Sequence, residues 1–425
     1  MGGSEGLRVD GTSHDTTLSN STVRNNVVGI HVLSTANRAI ISQNDIYANT
    51  GTFTSLEALV LEGDDLRVEG NVIHNNATSG ISVTFAAQNA ILRGNDVYNN
   101  PWYGIHVNGP NALIEQNIVR GSGVDPNNGA LVVFNVAAVV QDNVVYGNNR
   151  AGIDTNSTAI VVQRNVVYNN TDGIKGTGIF RDNRIFHNSQ AGVKITGLNP
   201  LVSGNSIYAN ATGIVTAPGA GQSATLANNV IYDHSAIGID IGIGLTGLNI
   251  LNNTIFEPTG TSIRLNAAGT ANVRDNILST VSGTLFNVAT VGQAGFTSDY
   301  NLLHVTGTGR VGAWGTDTII GRSDWFFELG RDEHSLEADP LLVDVDGPDG
   351  RRGWDVATST DFGVDDDFRE QVGSPAIDAG DPLSYYVLEP ISGNRVNAGA
   401  FGNTVQAAAS LPQGIQLTEP AGLRK

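Results

Sequence analysis

From about residue 17 to residue 305 the chain alternates short apolar runs with polar corners, and the corners recur in register. The clearest copy of the unit is Asn165-Val-Val-Tyr-Asn-Asn-Thr-Asp-Gly173-Ile174-Lys175. Its leading Asn returns at Asn20, Asn44, Asn71, Asn95, Asn117, Asn143, Asn183, Asn205, Asn229, Asn253, Asn276 and Asn301, at steps of 18 to 27 residues. Two positions on stands an aliphatic residue such as Ile46, Val97 or Ile185, often followed by an aromatic such as Tyr146, Tyr168 or Phe186. A Gly then leads into a β-branched run, as in Gly104-Ile105, Gly152-Ile153 and Gly192-Val193. Alternating Val/Ile-rich runs punctuated by Asn and Gly predict strands and tight turns. A fixed period of this length predicts a solenoid of about twelve coils, each stabilised by stacking on its neighbours.

Asn suits the corners because it tolerates the left-handed backbone region and because its amide both donates and accepts along a stack of like residues. A second Asn column follows five residues after the first, at Asn49, Asn76, Asn100, Asn148, Asn170, Asn188 and Asn210. The repeats resemble those of right-handed parallel β-helices, G-N-x-I-Y-x-N-x-x-x-G-I-x-V, over residues 15 to 305. That superfamily includes pectate lyases, alginate lyases, mannuronan C5-epimerases, glycosidases and non-catalytic members. The resemblance implies an all-β fold, a single-stranded right-handed parallel β-helix. Residues 1–16 are expected to be a frayed N-terminal lead-in, 17–305 the β-helix, 306–405 a C-terminal cap over the open end, and 406–425 a tail or linker.

The cap assignment rests on a change of composition. Residues 306–405 hold Trp314, Trp325 and Trp354 and many acids, and Asp339-Pro-Leu-Leu-Val-Asp344, Gly373-Ser-Pro-Ala-Ile-Asp-Ala-Gly380 and Asn394-Arg-Val-Asn-Ala-Gly-Ala-Phe-Gly402 resemble tails of large bacterial surface or secreted β-helix proteins. An uncovered solenoid end is an aggregation-prone edge. The net charge of −18 argues against nucleic acid, and no apolar run is long enough to span a membrane. The absence of cysteine removes disulfide and thiolate chemistry. The first residues lack a leader pattern, so a signal peptide is expected to be absent or removed, further natural sequence is expected before residue 1, and a secreted or cell-surface location rests on the resemblance alone. The partner implied is a polysaccharide, met by a monomer or by a module of a larger chain.

Candidate chemistry lies in the column of side chains that follows each Gly-Ile pair, because alternation along a strand points them all to one face. It reads His31, Ser82, His106, Leu131 or Asp125, Asp154, Lys175, Lys194, Val215, Asp240 and Arg264. Two residues further on lie Thr84, Asn108, Asn156, Thr177, Thr196 and Asn266. Sugar hydroxyls suit Asn108 and Asn156, a uronate carboxylate suits Lys175, Lys194 and Arg181, and Trp102 beside His106 offers a stacking platform. Adjacent lysines on neighbouring strands repel unless an anion sits between them. The insertion Gly123-Val-Asp125-Pro-Asn127-Asn128 resembles the G-F-D-P-H-E signature of mannuronan C5-epimerases, which implies that Asp125 is an active-site acid. Asn127 stands where that signature has its His, and Ser122 where it has a Tyr before the Gly.

Two enzyme chemistries follow. Lysine-held uronate with Asp154 or Asp125 as acid or base is a lyase or C5-epimerase, whereas Asp125 and Asp154 on adjacent coils form the carboxylate pair of a glycosidase. A polar stripe bonded only to itself would instead be a binding, adhesive or spacer solenoid. Finally, Asp344, Asp346 and Asp355 stand at positions 1, 3 and 12 of a calcium-loop count, although Pro348 and Asp349 break its interior, so Ca2+ is the one cofactor expected. His187 and His234 are expected to be surface residues at coil corners.

Overall fold

The computed structural model describes residues 4–11, 13–51, 57–123, 129–217 and 223–410. It is a right-handed parallel β-helix built of strands mostly three to five residues long. One α-helix, Arg322–Leu329, and one 3-10 turn, Thr290–Gly295, are the helices among the described residues. Among the described residues no helix is long and apolar enough to cross a membrane. The chain divides into two compact units, Met1–Thr225 with Ile239–Leu245, and Leu226–Gly238 with Thr246–Lys425.

In the first unit stacking starts earlier than the repeat suggests. Strand Glu5–Val9 pairs in parallel with Val28–Val32, so part of the expected frayed lead-in is a rung. Ile46, Ile73, Val97, Val119, Val145, Val167, Ile185 and Ile207 fill the interior at 0 % exposure. On the opposite face of these strands Tyr146, Tyr168, Phe186 and Tyr208 stack with ring centroids 4.9, 4.9 and 5.0 Å apart, the last two buried.

The Asn columns are hydrogen-bonded ladders. Each amide nitrogen donates to the next Asn oxygen, as from Asn143 to Asn165 at 2.9 Å and from Asn165 to Asn183 at 3.0 Å, and the same oxygens accept the backbone N–H of the preceding rung. Two rungs differ from expectation. Ser21, rather than Asn20, sits against Asn44, donating its backbone N–H at 3.0 Å, and Asn20 is left exposed. Ser122 fills the gap in the second ladder, its Oγ accepting from Asn100 N and its own N–H donating to Asn148 Oδ1.

The reason for Asn also shifts. The left-handed residue is the one before each rung, at Gln43, Gln116, Asp142, Arg164 and Asp182, so the ladder Asn is there for its amide and not for its backbone. Gly173 serves close approach: a Cβ there would lie 2.5 Å from Gly192 O of the next coil.

The second unit continues the pattern, with Asn229, Asn253, Asn276 and Asn301 laddered. Leu302–Val305 pairs with Leu336–Glu337 as a last rung, and Trp325 is buried against Phe286 at 5.4 Å. Beyond residue 340 the chain does not simply lid the end. It runs along the coils, where Arg352 bridges Asp233 at 2.5 Å, Tyr232 donates to Asp366 at 2.7 Å, and Asn252 donates to Asn397 O at 2.9 Å. Ile277, Leu302, Ala376 and Ala398 form a shared apolar cluster beneath.

Candidate functional site

The expected column exists in the first unit. Pairing runs His31 to Val60, Ser82 to His106, His106 to Val132, Val132 to Asp154, Asp154 to Lys175, and Lys175 to Lys194. The position between His106 and Asp154 is therefore Val132. Leu131 pairs with Ile105 and Ile153 and faces the core, because Ala130 adds a residue between Gly129 and the aliphatic position. Asp125 lies outside the described residues.

Asp154 is buried at 4 % exposure, and Val132 beside it at 0 %, so the middle of the column is covered. Lys175 Nζ donates to Asp154 Oδ2 at 2.9 Å. Burial pushes the Asp154 carboxyl up to about 6, against the opposing pull of Lys175 and with the charge of Asp172 adding to the rise.

Asp172 is a residue the column did not reveal. It precedes Gly173 in a position held elsewhere by Ala151 and Ala191, and that lone acid is the signal that would have found it. Its carboxylate takes Lys194 Nζ at 3.1 Å and the N–H of Ala191 at 3.2 Å. Each lysine is thus paired with an acid, and the expected repulsion between them is met within the protein.

Roughly 10 Å from Asp154 at the backbone, two strand spacings away, burial lowers the His106 imidazole to about 4, so it is neutral at neutral pH. Asn108 donates to its Nε2 at 3.1 Å, which places the ring proton on Nδ1. Tyr103 tilts over the ring at 4.7 Å, and Trp102 meets Tyr103 edge-on at 6.3 Å. Trp102, Tyr103, His106 and Asn108 therefore form one packed group.

Other expected residues are placed apart from this group. Asn156 is tied to Asn135 through its Nδ2 at 3.1 Å and its Oδ1 at 2.6 Å. Arg181 donates to Gln163 at 2.8 Å in a separate row that continues through Gln141 to Glu115. Asp240 lies on strand Ile237–Ile241. Arg264 lies in the second unit, in register with Asn287.

Asp344, Asp346 and Asp355 are not assembled as a ligand set. Asp355 accepts from Arg351 and from the N–H groups of Ala357 and Thr358, and no group of three metal-capable side chains occurs among the described residues. His234 is also not a surface residue. Its side chain is fully buried and holds Glu257 at 2.6 Å through Nδ1, and burial raises that carboxyl, opposed by His234.

A family model described as a right-handed beta helix region matches residues 2–119, 60–180 and 175–301. No curated protein sequence matches the chain. Among solved structures, it is similar to the A-module of a mannuronan C-5 epimerase from Azotobacter vinelandii, at 14% identity over 77% of this chain and 90% of that one, with a TM-score of 0.47. It is also similar to a tailspike protein of E. coli bacteriophage HK620 in complex with a pentasaccharide, at 12% identity over 73% and 68%, TM-score 0.44.

Proposed function

The chain belongs to the right-handed beta helix family, and from that premise we propose that it is a carbohydrate-active protein that removes the C5 proton of a uronate within an acidic polysaccharide, as a lyase or an epimerase. The observation that carries this reading is Asp154: a buried carboxyl that titrates near 6, bonded to Lys175 and set beside a second acid and lysine. Strongly perturbed titratable groups in a covered cluster are where acid and base chemistry is expected.

The roles follow from charge. Above pH 6 Asp154 is ionised and serves as the base for the C5 proton. Once it holds that proton, Asp154 no longer offsets the charge of Lys175, which then stabilises the negative charge developing on the uronate carboxyl group. Lys194, held by Asp172, adds a second positive charge on the next coil. The electron pair from C5 either expels the C4 oxygen, which leaves with the proton handed on from Asp154 and gives an unsaturated uronate, or takes a proton from water on the opposite face, giving the epimer while Asp154 returns its own proton to the hydroxide left behind. His106, Trp102 and Asn108 form a flanking subsite for a neighbouring ring. The same reading puts the protein outside the cell, where such polymers occur.

One observation favours a second reading, a non-catalytic binding solenoid: each lysine in the cluster already has its own acid, so no charge there demands a ligand. Incubation with alginate, polygalacturonate and glucuronan separates the two. Ultraviolet absorbance from unsaturated ends supports a lyase, an altered epimer ratio by NMR supports an epimerase, and reducing ends without either point to hydrolysis. Silence in all three supports the binding module.

A further inference from the structure

The outer face of strands Gly247–Leu251, Ala271–Arg274 and Phe296–Asp299, all in the second unit, carries a polar row that the Asp154 cluster does not use. Asn249, Asn272 and Thr297 stand in register, and Asn272 Nδ2 donates to Asn249 Oδ1 at 3.2 Å. Two cavities of about 290 and 250 Å³ adjoin here and share Asn272 and Thr297. Each is near the lower end of the ligand-pocket range, roughly 300 Å³ upward, a size that suits one sugar ring apiece.

The two halves differ in charge. The first is lined by small and neutral polar residues, with Thr270 and Asn249 beside the shared pair. The second gathers Arg274, Asp299, Tyr300, Arg331 and Asp381. Most of those charges are already matched. Arg274 bridges Asp381 at 2.8 Å, and Asp299 takes Nδ1 of His334 at 2.8 Å and its backbone N–H at 2.7 Å.

Arg331 is the exception, since no acid lies within bridging distance of it among the described residues. Its Nε is buried without a partner, and so is the Nε of Arg274. Buried guanidinium N–H groups left unbonded are unfavourable, and their planar fork matches a carboxylate. Tyr300 is stacked on His334 at 4.8 Å, so it offers an edge and a hydroxyl rather than a second free platform.

We propose that this double cavity is a saccharide-binding site for an acidic oligosaccharide, with a uronate carboxylate held by Arg331 and Arg274 and the adjoining ring's hydroxyls held by Asn272, Asn249 and Thr297. It does not depend on any catalytic role for Asp154. The row crosses three parallel strands in register, which lets a sugar chain lie across them as it would along the first-unit column.

Titration calorimetry with trigalacturonate, trimannuronate and the same trimers after reduction of their carboxyl groups tests the site, using wild-type protein, Arg331→Gln and Asp154→Asn. A uronate trimer is expected to bind wild type about tenfold more tightly than its reduced form, the value of one charge-assisted pair. Arg331→Gln is expected to lose that tenfold and bind both forms alike, while Asp154→Asn keeps the preference. Because Arg331 bridges no acid among the described residues, its replacement orphans none of them, and an unchanged melting curve confirms that the variant is folded. Equal affinity of Arg331→Gln and wild type would overturn the proposal. So would no binding of either uronate trimer to wild type, or a loss caused by Asp154→Asn instead of Arg331→Gln.

Discussion

Replacing Asn165 with Ala tests whether the ladder amides, rather than the apolar interior alone, hold the coils in register. Asn165 is 1 % exposed, and its amide nitrogen donates to Val140 O at 2.9 Å, Gln163 O at 3.0 Å and Asn183 Oδ1 at 3.0 Å. Its oxygen accepts the backbone N–H and the side-chain nitrogen of Asn143, both at 2.9 Å. Alanine removes all five.

The losses are unequal. Asn143 Nδ2 keeps Ile114 O and Gln141 O, and Asn183 Oδ1 keeps the Asn165 backbone N–H, so those groups remain bonded. The backbone N–H of Asn143, at a fully buried residue, is orphaned. One orphaned buried donor costs about 1–3 kcal/mol and the bonds to Val140 O and Gln163 O about 1 kcal/mol each net, while the two bonds whose partners stay satisfied add little, for a total of about 4 kcal/mol.

Long repeat arrays can unfold in parts, so a single melting temperature is a poor readout. Amide hydrogen exchange is better, because it resolves the coils. The expected result is a loss of protection centred on Asn143 and its flanking coils, of about 4 kcal/mol, with distant coils little changed. A loss under about 1 kcal/mol at Asn143, with neighbours unaffected, would refute the ladder as a source of stability.

Three further outcomes are expected. Ala48 holds φ +53 at a turn where most of its counterparts are Asn or Gly, so Ala48→Gly is expected to stabilise the first unit by about 0.5–1 kcal/mol in urea unfolding, strain relief outweighing glycine's entropy. In the second unit, His234→Leu leaves the buried Glu257 without its imidazole partner, keeping only the backbone N–H of residue 234, and is expected to cost about 3–5 kcal/mol, with the His234→Leu/Glu257→Leu pair recovering much of it. If the double variant is no better than the single, the pair is not what matters there. Carbon-13 NMR should find Asp154 titrating near 6, and higher in Lys175→Met. Its folded pKa lies above 3.8, so the protonated carboxyl contributes stability that is present below the unfolded value and lost as pH rises through 6. That contribution is about 3 kcal/mol at about 1.36 kcal/mol per unit, and Asp154→Asn should flatten this part of the stability profile.

The fold was legible because stacking repeats one set of contacts, so Asn, aliphatic, aromatic and Gly each recur where one coil meets the next. What the repeat hid were substitutions that keep a contact while changing the residue. Ser21 and Ser122 stand in for Asn by offering a backbone N–H or a hydroxyl to the same ladder. Val132 displaced Leu131 from the column because one extra residue after Gly129 reverses which side chains face outward. Asp172 escaped notice because it lies one position before the Gly, outside the alternation used to find the column. The burial of His234 comes with its pairing to Glu257 on the next coil, and the path of the chain beyond residue 340 comes from contacts more than a hundred residues apart, such as Arg352 with Asp233, which no local pattern encodes. Arg331, likewise, gains its interest only from what fails to surround it.

The central claim is that Asp154 takes a proton from C5 of a uronate. Incubating alginate and polygalacturonate oligomers with the protein in deuterium oxide tests it most directly, since both elimination and epimerisation begin with that step. The expected result is deuterium at C5 or unsaturated uronate ends, either one lost in Asp154→Asn and reduced in Lys175→Met. Oligomers that bind yet show neither, or a signal that persists undiminished in Asp154→Asn, would contradict it.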